Sequence, residues 1–346
     1  MIEVALVGFG LAGRAFHAPV IRAVPGLHLA AILQRSGKEA SEKYPDVRIV
    51  RDLGELLAIK DIQLIVIATP NDTHYPIARQ CLEAGRDVVV DKPFTTTLEE
   101  ASSLVQTAKS AGRLLTVYQN RRYDGDFQAI CQLLTAGTLG RIVRFETSYD
   151  RYRPQLKPGG WRETQRPGSG ILFDIAPHLI DHALVLFGLP EAVTADVRIE
   201  RENAVADDSF DITLHYPDGL RAVLKSSILA AVPRPRFVVF GTEASFVKQS
   251  FDPQENNLRH GNIPANSAWG FEPEQNWGVL TIPTKDSFEQ RRVPSAVCDY
   301  RDYYSNVRDA ILGRAALAVT PEYALDVVRM LELARESSQK RCTIPW

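Results

Sequence analysis

The segment Leu172–Phe187 is mostly apolar, yet it carries Asp174, His178, Asp181 and His182. At about 3.6 residues per turn these four fall on one face of a helix. Four polar groups aligned on an otherwise buried helix require a polar cavity or a polar partner surface. Asp174 and His178 stand one turn apart, so the carboxylate can orient the imidazole and stabilise its charge. That makes His178 a candidate general base near neutral pH. His178, Asp181 and His182 also match the H-x-x-E-H spacing of some zinc proteases, with Asp in place of the general-base Glu. The plainer reading is that Asp181 and His182 support the site or hydrogen-bond at a sheet surface, and no metal site is expected.

Lys92 is the second candidate. It follows the apolar run Asp87–Val90 in the sequence Asp91-Lys92-Pro93-Phe94. In α/β sheets ligands bind outside the carboxyl ends of the strands, where such a lysine can reach a substrate. Its ordinary alternative is a solvated loop lysine.

Gly8-Phe9-Gly10-Leu11-Ala12-Gly13 follows the first apolar run directly. The first glycine permits a tight turn, the second lets the backbone approach a pyrophosphate, and the third lets helix and strand pack closely. The pattern alone is weak, but here a strand precedes it and a helical pattern follows. About 20 residues further on, an NAD site usually has an acid that accepts from the ribose 2′-hydroxyl. This chain reads Ile32-Leu33-Gln34-Arg35-Ser36-Gly37-Lys38, with no acid before Glu39. Arg35 and Ser36 suit a 2′-phosphate, so NADP is the expected cofactor, with NAD the second choice.

The elements that must position these groups alternate over the first 120 residues. Strands are expected at Ile2–Val7, Leu27–Leu33, Ile62–Ala68, Asp87–Val90 and Leu114–Tyr118. Helices are expected near Gly13–Val24, Gly54–Ala58, Tyr75–Ala84 and Leu98–Ala111, the last opened by a Thr97/Glu100 capping box. Apolar strands separated by helices imply a parallel sheet covered on both faces. Further on, Glu191–Arg201, Ser209–Tyr216, Leu220–Leu229, Arg236–Gly241 and Ala244–Gln249 alternate apolar and polar residues, an antiparallel meander with one wet face. Residues 250–278 read as a long surface excursion, and helices near Ala296–Leu312 and Pro321–Ser338 close the chain. The expected fold is α/β: a Rossmann domain over residues 1–122, then a substrate-binding and oligomerisation domain over 123–346 with a mostly antiparallel open sheet.

The chain has 346 residues, 40 basic and 42 acidic side chains, and a net charge of −2. That balance offers no basic field for a nucleic acid. No run approaches the ~20 apolar residues of a membrane span. The first strand leaves no room for a signal peptide, and four scattered cysteines show no metal or redox spacing. A cytoplasmic protein is the expectation.

Taken together these residues resemble the glucose–fructose oxidoreductase / inositol dehydrogenase / rhizopine-catabolism (GFO/IDH/MocA) family over essentially the whole chain. The resemblance is carried by Gly8–Gly13, by Thr69-Pro70-Asn71-Asp72-Thr73-His74, and by Asp91-Lys92-Pro93. Asn120-Arg121-Arg122-Tyr123-Asp124 and the pattern Gly170-x-x-x-Asp174-x-x-x-His178 complete it. Trp161-Arg162-Glu163 and Asp252-Pro253-Gln254-Glu255 look like the branch that holds NADP-dependent scyllo-inositol dehydrogenases.

The resemblance implies that Lys92 hydrogen-bonds the reacting hydroxyl, that the Lys92–Pro93 bond is cis as it often is in relatives, and that His178 takes the proton with Asp174 behind it. Gly8, Phe9, Gly10, Leu11, Ala12, Gly13, Thr69, Pro70, Asn71, His74 and the Asp91–Pro93 loop would line the cofactor, with Arg35 and Ser36 at its ribose. Asn120 and Arg121 would border the substrate pocket, and Tyr152, Trp161 and Arg162 would shape it. Relatives often have Glu where this chain has Asp91, which puts that residue's contacts in question. The implied activity is hydride transfer between NADP and a cyclic polyol or sugar, scyllo-inositol-like, in a homodimer or homotetramer. A non-catalytic dinucleotide sensor on the same fold could keep the glycines and lose Lys92 or His178; the presence of both favours the enzyme.

Overall fold

The computed structural model describes residues 1–157, 159–265 and 269–346. A six-stranded parallel sheet is built from β1 (Ile2–Val7), β2 (Leu27–Leu33), β3 (Arg48–Val50), β4 (Leu64–Ile67), β5 (Asp87–Val90) and β6 (Leu115–Val117). Its strand order is β3-β2-β1-β4-β5-β6, so the order reverses between β1 and β4. Every residue of β4 is buried, as a strand covered on both faces requires. Helices α1 (Ala18–Arg22), α2 (Glu39–Lys43), α3 (Leu53–Leu57), α4 (His74–Glu83) and α5 (Leu98–Ala111) connect these strands. The expected cap of α5 is present: the Glu100 amide donates to Thr97 Oγ1 at 3.2 Å, while the Glu100 carboxylate accepts from the Thr96 amide at 3.1 Å.

Ahead of α1 the chain makes a wide π turn over Ala12–His17, closed by the Ala18 amide on the Gly13 carbonyl. Periodicity could not foresee it, because an apolar stripe has nearly the same appearance in either winding.

Beyond residue 120 come α6 (Gly125–Thr135), β7 (Ile142–Ser148), α7 (Gly170–Phe187), β8 (Ala192–Arg198), β9 (Ser209–His215), β10 (Arg221–Ser227), β11 (Phe237–Gly241), β12 (Ser245–Lys248) and α8 (Gln254–Arg259). The chain ends with β13 (Gly278–Pro283), β14 (Phe288–Val293), α9 (Arg301–Ile311), α10 (Pro321–Lys340) and β15 (Ile344–Pro345). The second sheet has nine strands in the order β14-β13-β12-β11-β7-β10-β9-β8-β15. It is mostly antiparallel but not a pure meander, because β7 and β10 pair in parallel. The chain leaves β7, forms α7, and returns through β8 and β9, and such a crossover is what parallel pairing needs. β7, β13, β14 and β15 were not anticipated; β14 is exposed along most of its length and rich in charge, as suits a sheet edge.

The chain does not divide at a single point. One compact unit comprises Met1–Asn120, Gln254–Trp269 and Asp299–Val328; the other comprises Arg121–Pro253, Gly270–Cys298 and Arg329–Trp346. The stretch expected as a surface excursion therefore contributes to the first unit, where Gln254 and Leu258 are buried. Gln254 Oε1 accepts from the Tyr300 amide at 2.9 Å, and Thr116 Oγ1 donates to the Val319 carbonyl at 2.7 Å. The first bond joins two late segments and the second ties Val319 to β6 of the first sheet, and polar loop composition could not reveal them.

Candidate functional site

Gly8 leaves β1 at the point where the strand order reverses, the usual place for a ligand in such a sheet. It has φ +98°, and a Cβ there would lie 2.6 Å from the Ala68 carbonyl oxygen. A Cβ on Gly13 would lie 2.1 Å from the Gly8 carbonyl oxygen, so the turn closes only with glycine. Gly10 differs: a Cβ there would meet nothing within 4 Å. Two glycines serve the fold and the third leaves open backbone, which is the cradle a pyrophosphate needs. The residues present fit a dinucleotide.

The ribose-side loop is organised differently from expectation. Gln34 turns toward α2, accepting the Ala40 amide at 2.9 Å and donating to Glu39. Arg51 donates to the carbonyls of Gln34 and Gly37 at 2.8 and 3.1 Å, fixing the loop from below. Arg35 and Ser36 are left exposed. A cavity of about 280 Å³ in the same unit is lined by Phe9, Leu11, Arg14, Glu39, Lys43 and Arg259, among others. Arg14, Lys43 and Arg259 went unnoticed in the sequence, since nothing in residue order brings α8 to the first helix.

At the carboxyl end of β5 the Lys92–Pro93 bond is cis. Asp91 Oδ1 accepts the Lys92 amide at 2.8 Å and lies 3.7 Å from His17 Nε2. The shorter acid therefore supports the lysine loop directly. Burial alone would raise the Asp91 carboxyl, but His17, Lys92 and His74 together hold it below the usual range. His74 is buried at the start of α4, with Nδ1 2.8 Å from the Pro93 carbonyl and Nε2 3.0 Å from that of Thr69. Burial pushes its imidazole below the ordinary value, against the opposing pull of Asp91 and of the two carbonyls it bridges. Asn71 is buried, while Thr69 and Pro70 are partly exposed. Thr69, Pro70, Asn71, His74 and Asp91–Pro93 thus converge as neighbouring loops of the first unit.

The second unit holds the other candidates. α7 begins at Gly170, whose φ is +87° and whose Cβ would lie 1.9 Å from Asp207 Oδ2. Asp207 caps the helix, its Oδ1 accepting the Leu172 amide at 2.8 Å. α7 is the one described helix long and apolar enough to cross a membrane, yet most of it is buried inside the protein. His178 is buried on it.

Asp174, expected mainly as a support for His178, also draws two guanidiniums: Arg162 Nε at 3.1 Å and Arg151 at 3.5 Å. Arg162 lies over the Trp161 ring at 4.4 Å, and Arg121 and Arg151 flank the Tyr149 ring at 4.8 and 4.9 Å. Arg121 is buried and bonds Asp124 at 3.1 Å; Tyr152 is exposed. Arg151 and Tyr149 were not singled out from the sequence, although the alternation Tyr149-Asp150-Arg151 places both on one side of an extended chain.

Asp181 and His182 serve as supports. The Arg122 guanidinium grips Asp181 in a fork, with bonds of 2.9 and 2.8 Å. His182 Nε2 donates to the Arg121 carbonyl at 3.2 Å and its ring stacks on Phe127 at 4.2 Å. Burial, then the charge of Arg236, pushes the His182 imidazole well below its ordinary value. Two neighbouring residues of α7 thereby hold the Arg122 guanidinium and the Arg121 carbonyl. Their spacing matches a metal motif, but their partners are protein groups.

The sequence of the first sheet matches the oxidoreductase family with an NAD-binding Rossmann fold over residues 2–119, and residues 127–247 match the GFO/IDH/MocA C-terminal domain. The chain belongs to the GFO/IDH/MocA family. It is 41% identical to the uncharacterized oxidoreductase YdgJ of Escherichia coli, over 99% of this chain and 98% of that protein. It is 37% identical to the NADP(+) scyllo-inositol 2-dehydrogenase IolW of Bacillus subtilis, over 99% of this chain and 95% of that enzyme. The structure superposes on the Bacillus subtilis protein YvaA with a TM-score of 0.96 at 37% identity, covering 100% of this chain and 98% of the other. An oxidoreductase of Bacillus cereus gives a TM-score of 0.90 at 31% identity, covering 100% and 99%. The chain is an oxidoreductase of a family that acts on CH–OH groups with NAD(P).

Proposed function

We propose that this enzyme transfers a hydride between NADP and a cyclic polyol or sugar, with scyllo-inositol and its keto form the leading candidates. The observation that carries the reading is the Lys92 loop, fixed by Asp91 and His74 at the carboxyl end of β5 beside the glycine cradle. The likeness to IolW supports the substrate class. Bound nicotinamide supplies the hydride acceptor or donor. Lys92 hydrogen-bonds the reacting oxygen and polarises it. His178 accepts the hydroxyl proton in oxidation and returns it in reduction, with Asp174 stabilising the imidazolium. Trp161 and Arg162 offer an apolar platform and fixed donors to a hydroxyl-rich ring.

NADP is preferred because Arg35 and Ser36 are exposed on the ribose-side loop, and Arg14 and Lys43 add positive charge to the cavity that Glu39 also lines. Glu39 is drawn toward Gln34, whose carboxamide donates to its carboxylate.

The test is a spectrophotometric screen of inositols, aldoses and keto-sugars, following the reduced cofactor. Lys92→Ala and His178→Ala should each lose about 10²–10⁴ in kcat while still binding cofactor. Near-wild-type turnover in both variants, or activity confined to linear or amino-acid-derived substrates, would overturn the reading.

A further inference from the structure

His17 is a buried imidazole that the proposed reaction does not use. It ends the π turn that follows the glycine cradle. Such a turn adds a residue to the winding and redirects the side chains after it, and it is frequent at functional sites. Here it sends His17 inward. The Tyr304 hydroxyl of α9 lies 2.6 Å from Nδ1, and the opposite nitrogen, Nε2, faces Asp91 Oδ1 at 3.7 Å. That same carboxylate oxygen holds the Lys92 amide at 2.8 Å. The Tyr118 ring closes over the imidazole at 4.4 Å.

We infer that Tyr304, His17 and Asp91 form a buried polar relay that sets the Lys92 loop, with His17 and Tyr304 as positioning residues. The inference rests on reading Lys92 as the group that polarises the substrate oxygen. Its physics is simple. Asp91 keeps 15% of its side chain exposed, and the burial of the rest favours the neutral carboxyl unless donors and positive charge face it. Lys92 and His74 face Asp91 from the loop and from α4, while His17 faces it from the π turn. Tyr304 donates to Nδ1 and so leaves the imidazole proton on Nε2, directed at Asp91. The ionised carboxylate then anchors the Lys92 amide. Through this relay the helix that carries the dinucleotide cradle and the loop that carries the lysine share one buried unit.

The test uses the full-length, ligand-free protein and reads amide hydrogen exchange by mass spectrometry over residues 91–95. His17→Leu and Asp91→Asn should each speed exchange there about three- to tenfold, since the 3.7 Å approach of His17 to Asp91 is an electrostatic contact longer than a hydrogen bond. The double variant should exchange no faster than Asp91→Asn alone, because the two residues act through one contact. His17→Gln, which keeps an N–H donor in reach of Asp91, should recover most of the protection. The ratio of His17→Leu to wild-type exchange should grow from pH 7 to pH 5, since Asp91 without His17 takes up its proton at higher pH. A merely structural role would give additive effects, a ratio independent of pH and no rescue by Gln; any of these overturns the relay. Tyr304→Phe removes one oxygen and guards against a His17→Leu protein that fails to fold: it should speed exchange about threefold, and no change would equally overturn the relay. Unchanged turnover in Lys92→Ala would remove the catalytic reading while leaving the exchange result standing, so the two failures are distinguishable.

Discussion

Asp207→Asn probes the anchoring of the helix that carries Asp174 and His178. Asp207 holds the first turn of α7 twice, its carbonyl accepting the Ile171 amide and its carboxylate the Leu172 amide, both at 2.8 Å. Burial pushes the carboxyl up from 3.8 to about 6, and the Leu172 bond opposes that only in part. A folded-state pKa above the unfolded value means that the folded protein binds the extra proton between about pH 4 and pH 6. The contribution to stability is therefore complete below the unfolded pKa and is lost as pH rises through 6. A shift of roughly two units corresponds to about 3 kcal/mol. Asn keeps an acceptor for Leu172 and cannot ionise. The variant should match wild type near pH 4 and exceed it by up to about 3 kcal/mol at pH 7, with the gain appearing between those limits. Urea unfolding of both proteins at pH 4, 5, 6 and 7 measures the difference, and all other titrating groups cancel. A difference that stays constant across this range would refute the reasoning and would mean that Asp207 is ionised in the folded protein as readily as in the unfolded chain.

The glycine cradle separates fold from binding. Gly10→Ala places its Cβ in open space, so it should melt like wild type yet bind NADP about tenfold or more weakly in a fluorescence titration. Gly13→Ala should instead lose about 1–3 kcal/mol or more in a denaturant titration, because its Cβ meets the Gly8 carbonyl. Arg35→Ala should reduce the ratio of kcat/KM for NADP over NAD by about 10–100-fold with little effect on melting temperature, since the side chain is exposed. Equal use of both cofactors by the wild type would show that Arg35 contributes nothing to the choice. Gln34 should not be altered in the same experiment, because its carboxamide caps α2.

The amino-acid sequence by itself determined the parallel sheet, the position of the cradle and the identity of the charged groups on α7. Those features are local. A strand such as Leu64–Ile67 is buried on both faces and must be apolar throughout, glycines are demanded by φ and by close approach, and a helix displays every polar residue at its own spacing. Other features needed the tertiary structure, because they depend on which distant segments meet. Nothing near residue 254 or 304 marks it as a partner of a distant segment, yet Gln254 binds Tyr300 and Tyr304 reaches His17. Helical spacing suggested Asp174 as a support for His178 and gave no sign of it as the meeting point of Arg151 and Arg162, which arrive from chain segments 23 and 12 residues away. Asp181 and His182 carried the spacing of a metal site, and only the folding of residues 121–122 against α7 assigned them to Arg122 and the Arg121 carbonyl. Spacing along the chain sets what one element can present, whereas burial, charge and hydrogen-bond partners are set by the elements it packs against.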